Sequence, residues 1–204
     1  LGWSHGDDEI IATENLIRWF DLTEIGRSPA RFDFAKLESI NGHYIRAASG
    51  EALVAGIRAM LADTDAGRSQ AAALSDADWQ RLAAAMPGLK ERAKTLAELF
   101  AGAAYLYVKR PIAIDEAARE VLATDGIAAL RDVRGSLEGV AEWTVGALEN
   151  AVKAHAEKAG MKLGKIAQPL RAALTGRTTS PGIFDVLAVL GREESLLRIT
   201  DQLG

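Results

Sequence analysis

Residues that could alternate as a β-strand are confined to one short stretch of this chain, YLYVK at residues 105 to 109. Elsewhere apolar residues recur every three or four positions, the spacing that gathers them on one face of a helix. Phe32, Leu37, Ile40, Tyr44 and Ile45 follow it, and Leu53, Ile57, Met60 and Leu61 continue it, so each set predicts a buried helical face. Ser75-Asp76-Ala77-Asp78 is a helix start, with a hydroxyl for an orphan N–H and carboxylates near the positive helix end. Pro87-Gly88 is expected to interrupt that helix, with a second amphipathic series from Leu89 to Phe100. A long helix is expected from about Glu142 to Ala159, closed by Gly160, where a left-handed residue is least costly. The predicted fold class is all-α, a bundle of helices.

Two breaks divide the helical pattern. Residues 63–75 (DTDAGRSQAAALS) are small and polar and read as a loop. In residues 108–115 (VKRPIAID), Pro111 stops one helix before Asp115 opens the next. Three pieces follow, 1–62, 68–108 and 111–204. The chain opens on Leu1-Gly2-Trp3-Ser4-His5 without an initiator Met and reads as part of a longer protein.

Composition narrows the function classes. Apolar residues make up 49% and charged residues 25% of the 204, which suits a soluble core-forming chain. No run approaches the roughly 18 apolar residues of a membrane span, so no membrane association is expected. There is no cysteine, which excludes disulfides and thiolate metal sites and suits an intracellular protein.

Catalytic patterns are sparse. His5, His43 and His155 form no metal-ligand spacing, and no catalytic or metal residue is assigned. Gly160-Met161-Lys162-Leu163-Gly164-Lys165-Ile166 has three residues between its glycines where a phosphate loop has four. It also places Ile where Ser or Thr would hold Mg²⁺. The acidic residues Asp7, Asp8, Glu116, Glu120, Glu193 and Glu194 read as helix-start and solvent-facing charges. Trp143 and Phe184 could stack on unpaired bases, but both sit in register with apolar neighbours and are expected in the core.

Charge is unevenly spread. The chain carries 24 basic and 28 acidic side chains, net −4. Residues 151–177 hold six cations (Lys153, Lys158, Lys162, Lys165, Arg171, Arg177) and one acid, Glu157, for a net of +5. The other 177 residues hold 18 basic and 27 acidic side chains, net −9. A basic patch on an acidic body suits a polyanion met at one place, although a solvated helix face has the same composition. Just beyond it, Ser180-Pro181 reads as N-cap and first residue of a helix, preceded by Thr178 and Thr179. A turn at Gly176 could bring Arg171 to that helix start. There its guanidinium could meet a base edge, a phosphate or an internal acid.

The stretch QPLRAALTGRTTSPGIFDVLAVLGREESLLRI (168–199) resembles the C-terminal signature of bacterial glutamyl-tRNA synthetases. GWSHGDDE (2–9), FDFAKLESINGHYIR (32–46), LKERAKTLAEL (89–99) and YVKRP (107–111) resemble the same family in the same order. The resemblance implies the C-terminal portion of a class I aminoacyl-tRNA synthetase that attaches glutamate to tRNA-Glu. It implies ATP and Mg²⁺ in a catalytic domain whose signatures do not occur in these 204 residues, so the chain alone is expected to be catalytically inactive. Residues 1–62 would finish a stem-contact domain, and 68–108 and 111–204 would be two helical anticodon-binding subdomains. The related glutaminyl enzymes carry β-barrels there, which the strand-poor pattern disfavours.

By that resemblance Arg171 contacts anticodon bases, with Ser180 at the adjoining helix start and Pro181, Gly182 and Ile183 as an apolar wall. Arg92 and Lys94 would lie on a helix facing the last anticodon base, and Lys158, Lys162, Lys165 and Arg177 would hold the tRNA backbone. The expected partner is tRNA-Glu, with tRNA-Gln as an alternative second substrate of the parent, which is expected to be cytoplasmic and monomeric. A free-standing helical protein-interaction module is the competing reading, and a helical enzyme with an unrecognised site is disfavoured by the sparse catalytic patterns.

Overall fold

The computed structural model describes residues 2–26, 32–123 and 125–204. Leu1, which opens the stretch Leu1-Gly2-Trp3-Ser4-His5, lies outside them, as do residues 27–31 and 124 of the first and third pieces. Among the described residues all regular structure is helical, in twelve α-helices and two short 3₁₀ turns. The helices are α1 (Thr13–Trp19), α2 (Phe34–Ala47), α3 (Gly50–Ala62), α4 (Asp65–Ala72), α5 (Asp76–Leu89) and α6 (Leu96–Gly102). They continue with α7 (Glu116–Ala123), α8 (Asp125–Glu138), α9 (Val145–Lys158), α10 (Leu163–Thr175), α11 (Ile183–Leu190) and α12 (Arg192–Leu203). The YLYVK stretch opens on the second 3₁₀ turn, Ala104–Leu106, so the all-α expectation holds here.

Short polar side chains set most helix starts. Asp33, Ser49, Thr64, Ser75, Thr95, Asp115 and Thr144 each accept a first-turn N–H. Ser75 and Asp78 complete a reciprocal capping box. Each such cap contributes about 1 kcal/mol.

The structure corrects several boundaries. Residues 63–75 hold α4 rather than a loop, because Thr64 caps Gly67 and an alanine-rich turn follows. Pro87 lies inside α5; in the last turn its missing N–H forfeits one bond, and the helix runs on to Leu89. The expected Leu89–Phe100 series is therefore split, with residues 90–95 forming a turn before α6. The helix expected from Glu142 begins at Val145, because Thr144 is its cap. Gly160 takes the left-handed conformation expected of it, with φ +63°.

The face predicted from Phe32, Leu37, Ile40, Tyr44 and Ile45 is largely uncovered. Ile45 is buried, but Phe32, Leu37 and Tyr44 are exposed. Ile17, Leu22 and Phe34 are exposed as well.

One core runs from Ile45, near the end of α2, through the helices that follow to Ile199 in α12. Helix α3 packs on α4, α5 and α6, across the division drawn at residues 62–68. Helix α10 packs on α7, α8, α9, α11 and α12, and its Ile166, Leu170, Ala172, Ala173 and Leu174 are inaccessible to solvent. The two halves meet where α11 lies on α5. Gly88 permits that approach, since a Cβ there would stand 3.3 Å from Pro181 Cβ.

Further polar contacts hold the linker and the junction. The Asp115 N–H donates to the Gly176 carbonyl at 2.9 Å. Arg110 pairs with Glu194 and Asp201 on α12, at 3.5 and 3.2 Å. Arg198 is only 2% exposed, and its Nη1 donates to the Tyr105 and Leu174 carbonyls at 2.8 and 2.6 Å. Its Nε donates to Glu194 at 2.6 Å. Glu194, expected as a solvent-facing charge, is thus a half-buried partner of two arginines.

Two expectations follow. Gly176 ends α10 at φ +74°, and a Cβ there would stand 2.1 Å from the Ala113 carbonyl oxygen. Gly176→Ala should cost more than about 2 kcal/mol, combining left-handed strain with overpacking against backbone; a urea unfolding curve measures it. Burial, with smaller contributions from neighbouring groups, raises the hydroxyl pKa of Tyr105 and Tyr107. Both therefore stay protonated in the folded chain, and only the unfolded chain releases these protons above about pH 10. Stability should be intact below that pH and fall above it. Unfolding midpoints across the range should show Tyr107→Phe, which removes a hydroxyl without a protein partner, blunting the fall.

Candidate nucleic-acid interface

The site is built at the junction. Helix α10 carries Arg171 in its penultimate turn, and Gly176 reverses the chain so that Ser180 returns alongside. Arg171 is half-buried, and its Nε donates to Ser180 Oγ at 2.9 Å. The Ser180 hydroxyl donates to the Pro181 carbonyl at 2.8 Å. From the other half, Arg92 Nη1 donates to the Ser180 carbonyl at 3.1 Å. Two guanidinium groups 79 positions apart thus converge on one serine.

Ser180 is not the helix cap that the sequence suggests. Helix α11 starts at Ile183 with Gly182 as its N-cap, and Pro181 precedes the first turn rather than opening it. The hydroxyl is committed to Arg171 and Pro181, and Asp185 serves the helix start. Pro181 is buried, Gly182 is exposed, and Ile183 is a core residue.

A cleft of about 410 Å³ opens between the halves. One wall holds Gly88, Leu89 and Arg92, the other Thr175, Arg177 and Ser180, and Tyr105 lies between them. Among the described residues no ion pair includes Arg92, Arg171 or Arg177. The internal acid that Arg171 could have served is therefore not its partner. Burial, and then the neighbouring Arg92 cation, lower the pKa of Arg171. The arrangement sets the guanidinium groups of Arg92 and Arg177 in the cleft lining against one acid, Glu98, with Arg171 beside Ser180, which suits an acceptor-rich or anionic ligand.

Other expected residues lie elsewhere. Arg92 and Lys94 stand on the 90–95 turn rather than on a helix. Lys94 faces Glu38 at 3.9 Å, and its carbonyl accepts from Asn41 at 2.5 Å, so it is stitched to α2 and does not line the cleft. Lys158 ends α9, while Lys162 and Lys165 begin α10; all three are exposed and outside the cleft. Lys158 borders a shallow groove between α8 and α9, where Ser136 Oγ and His155 Nδ1 are 2.9 Å apart. Lys153 pairs with Glu149 and is not free. Trp143 and Phe184 both pack against the core; Trp143 donates to the Leu187 carbonyl at 2.7 Å under the Arg192 guanidinium.

Sequence reasoning missed Tyr105, Thr175, Thr179 and Gly88 as cleft residues, and Arg198 altogether. Arg198 follows Glu194 by four positions, the signature of a surface ion pair, and nothing in that spacing signals burial. Among the described residues no group of three or more His, Asp or Glu side chains could hold a metal ion, and no helix is long and apolar enough to cross a membrane.

Comparison with known proteins bears on what such a cleft is for. Glutamate–tRNA ligase 2 of Brucella ovis and glutamate–tRNA ligase 1 of Brucella melitensis are each 57% identical to this chain over all 204 residues. The chain spans 43% of the length of either relative, in its C-terminal part. Among solved structures, a glutamate tRNA ligase from Elizabethkingia meningosepticum, crystallised with its amino acid, superposes with a TM-score of 0.78 at 24% identity. It matches the whole of this chain and 39% of its own. A glutamate–tRNA synthetase from Elizabethkingia anophelis gives 0.75 at 25% identity, over 38% of its chain. The sequence model of the anticodon binding domain matches residues 53–203, which takes in both walls of the cleft and every helix from α4 onward. The chain belongs to the anticodon binding domain family.

Proposed function

We propose that this chain reads the anticodon of tRNA-Glu as part of a glutamate–tRNA ligase. The observation that carries this reading is the convergence of Arg92 and Arg171 on Ser180, without an acidic partner among the described residues; Arg92 and Ser180 line the cleft, and Arg171 stands outside its lining, bonded to that serine. Ser180 takes up the Arg171 Nε–H, which leaves the Nη donors of the fork for a base edge. A guanidinium already held by a serine loses little freedom on binding, so its planar donors give direction as well as charge. Unstacked anticodon bases would enter the cleft, while Lys158, Lys162, Lys165 and Arg177 meet phosphates, which position the RNA without identifying it.

On this reading residues 1–62 complete a stem-contact region, and 68–108 and 111–204 are two helical anticodon-binding parts. ATP and Mg²⁺ belong to ligase chemistry outside these residues. The parent works in the cytoplasm as a monomer, and charging of tRNA-Gln as well is a variant of the same recognition. The competing reading is a protein-interaction module, for which tRNA binding would be absent or indifferent to salt.

Titration of tRNA-Glu and an anticodon-swapped tRNA against variants tests the proposal. Arg171→Lys keeps the charge and loses the fork. It should weaken cognate binding by about tenfold, the loss of one bidentate contact of about 1–3 kcal/mol, and should lower the cognate-to-swapped ratio. Lys158→Ala should weaken both tRNAs alike and flatten the salt dependence. An unchanged ratio in folded Arg171→Lys would show that Arg171 does not read the anticodon. The chain itself should support no glutamate-dependent exchange of pyrophosphate into ATP; exchange that copurifies with it would contradict the assignment to anticodon reading alone.

A further inference from the structure

We infer that Arg198, which lies outside the cleft lining, is a positioning residue for the base-reading Arg171; this rests on the anticodon reading above. Arg198 Nη1 bonds Tyr105 O and Leu174 O, at 2.8 and 2.6 Å. Tyr105 lines the cleft from the Arg92 half, and Leu174 precedes Thr175, which lines it from the other half. One nitrogen thus sets the separation of the two walls from behind, each of its hydrogens directed at one carbonyl. The Leu174 carbonyl belongs to the last turn of α10, where carbonyls lack helical partners, and a cation there also complements the helix dipole.

The other end of the guanidinium is fixed as firmly. Nε donates to Glu194, whose second oxygen faces Arg110 Nε at 3.5 Å, and Arg110 reaches on to Asp201. The linker between the halves is thereby tied to α12, and α12 to both walls. At the front of the cleft the two halves are joined by the longer bond from Arg92 to the Ser180 carbonyl, on an exposed side chain. The buried contact at the back is the stiffer of the two. It therefore governs whether Arg92 and Arg171 reach the same serine. Lysine cannot replace it, because all its donors sit on one tetrahedral nitrogen and none corresponds to Nε.

The test measures tRNA-Glu and anticodon-swapped tRNA binding to the intact chain, Arg198→Lys, Arg171→Lys and the double variant, with circular dichroism confirming the fold. Arg198→Lys should lower the cognate-to-swapped ratio about tenfold, the equivalent of one base contact. The double variant should match Arg171→Lys alone, because no fork remains to be positioned. A merely structural role would lower the unfolding temperature and leave the ratio untouched. That result, with Arg171→Lys still losing the ratio, overturns the inference. If Arg171→Lys itself keeps the ratio, the anticodon reading fails and this inference falls with it. Should Arg198→Lys not fold, Glu194→Gln takes its place: it loosens Nε and spares both carbonyl bonds. A fall of about threefold supports positioning, and an unchanged ratio overturns it.

Discussion

A guanidinium almost sealed from water needs directed partners, and Arg198 finds them for Nε and Nη1 by drawing three separate segments together. The 3₁₀ turn at Tyr105, the end of α10 at Leu174 and the start of α12 at Glu194 all face it. Removing the guanidinium would leave the Tyr105 and Leu174 carbonyls without these partners, whereas the Glu194 end of the pair is partly open to water. The junction is thus specified by polar geometry on top of the apolar contact of α5 with α11. Apolar packing alone tolerates sliding, whereas a fork with fixed directions does not. The cleft inherits its shape from that difference.

Much of the fold is legible in the sequence where two local signals coincide. Ser75 and Asp78 mark a helix start through a cap and a following apolar repeat, and the structure shows the reciprocal bonds. Gly160 and Asp115 mark a stop and a start for equally local reasons. Local signals fail where one pattern has two outcomes. The 63–75 stretch is small and polar, as a loop is, yet one threonine cap suffices to start α4. Ser180-Pro181 has the form of a helix start, yet the hydroxyl is claimed by Arg171 from outside the element. Phe32, Leu37 and Tyr44 keep helical spacing, but periodicity reports that a face is apolar and not what covers it.

The site divides along the same line. The approach of Arg171 to Ser180 follows from nine residues and a reversal at Gly176, so it can be read locally. Arg92 joins them through a contact spanning 88 positions, which no spacing rule foretells; family resemblance pointed to it, and geometry gives it a place. The same resemblance pointed to Lys94, and geometry sets that lysine apart on the α2 side. A serine between two cations, beside a basic 151–177 segment in a chain that is net acidic, makes one region more attractive to RNA than the rest. That contrast favours binding at one place over binding everywhere.

The central claim is that the cleft between the halves, and no other surface of this chain, receives the anticodon. Hydrogen–deuterium exchange with and without an anticodon stem–loop RNA tests it most directly. The account expects protection concentrated at residues 88–93 and 175–182, with the apolar surface of residues 13–22 and 34–44 unchanged. Protection confined to that apolar surface, with the cleft segments exchanging as in the free chain, would contradict it.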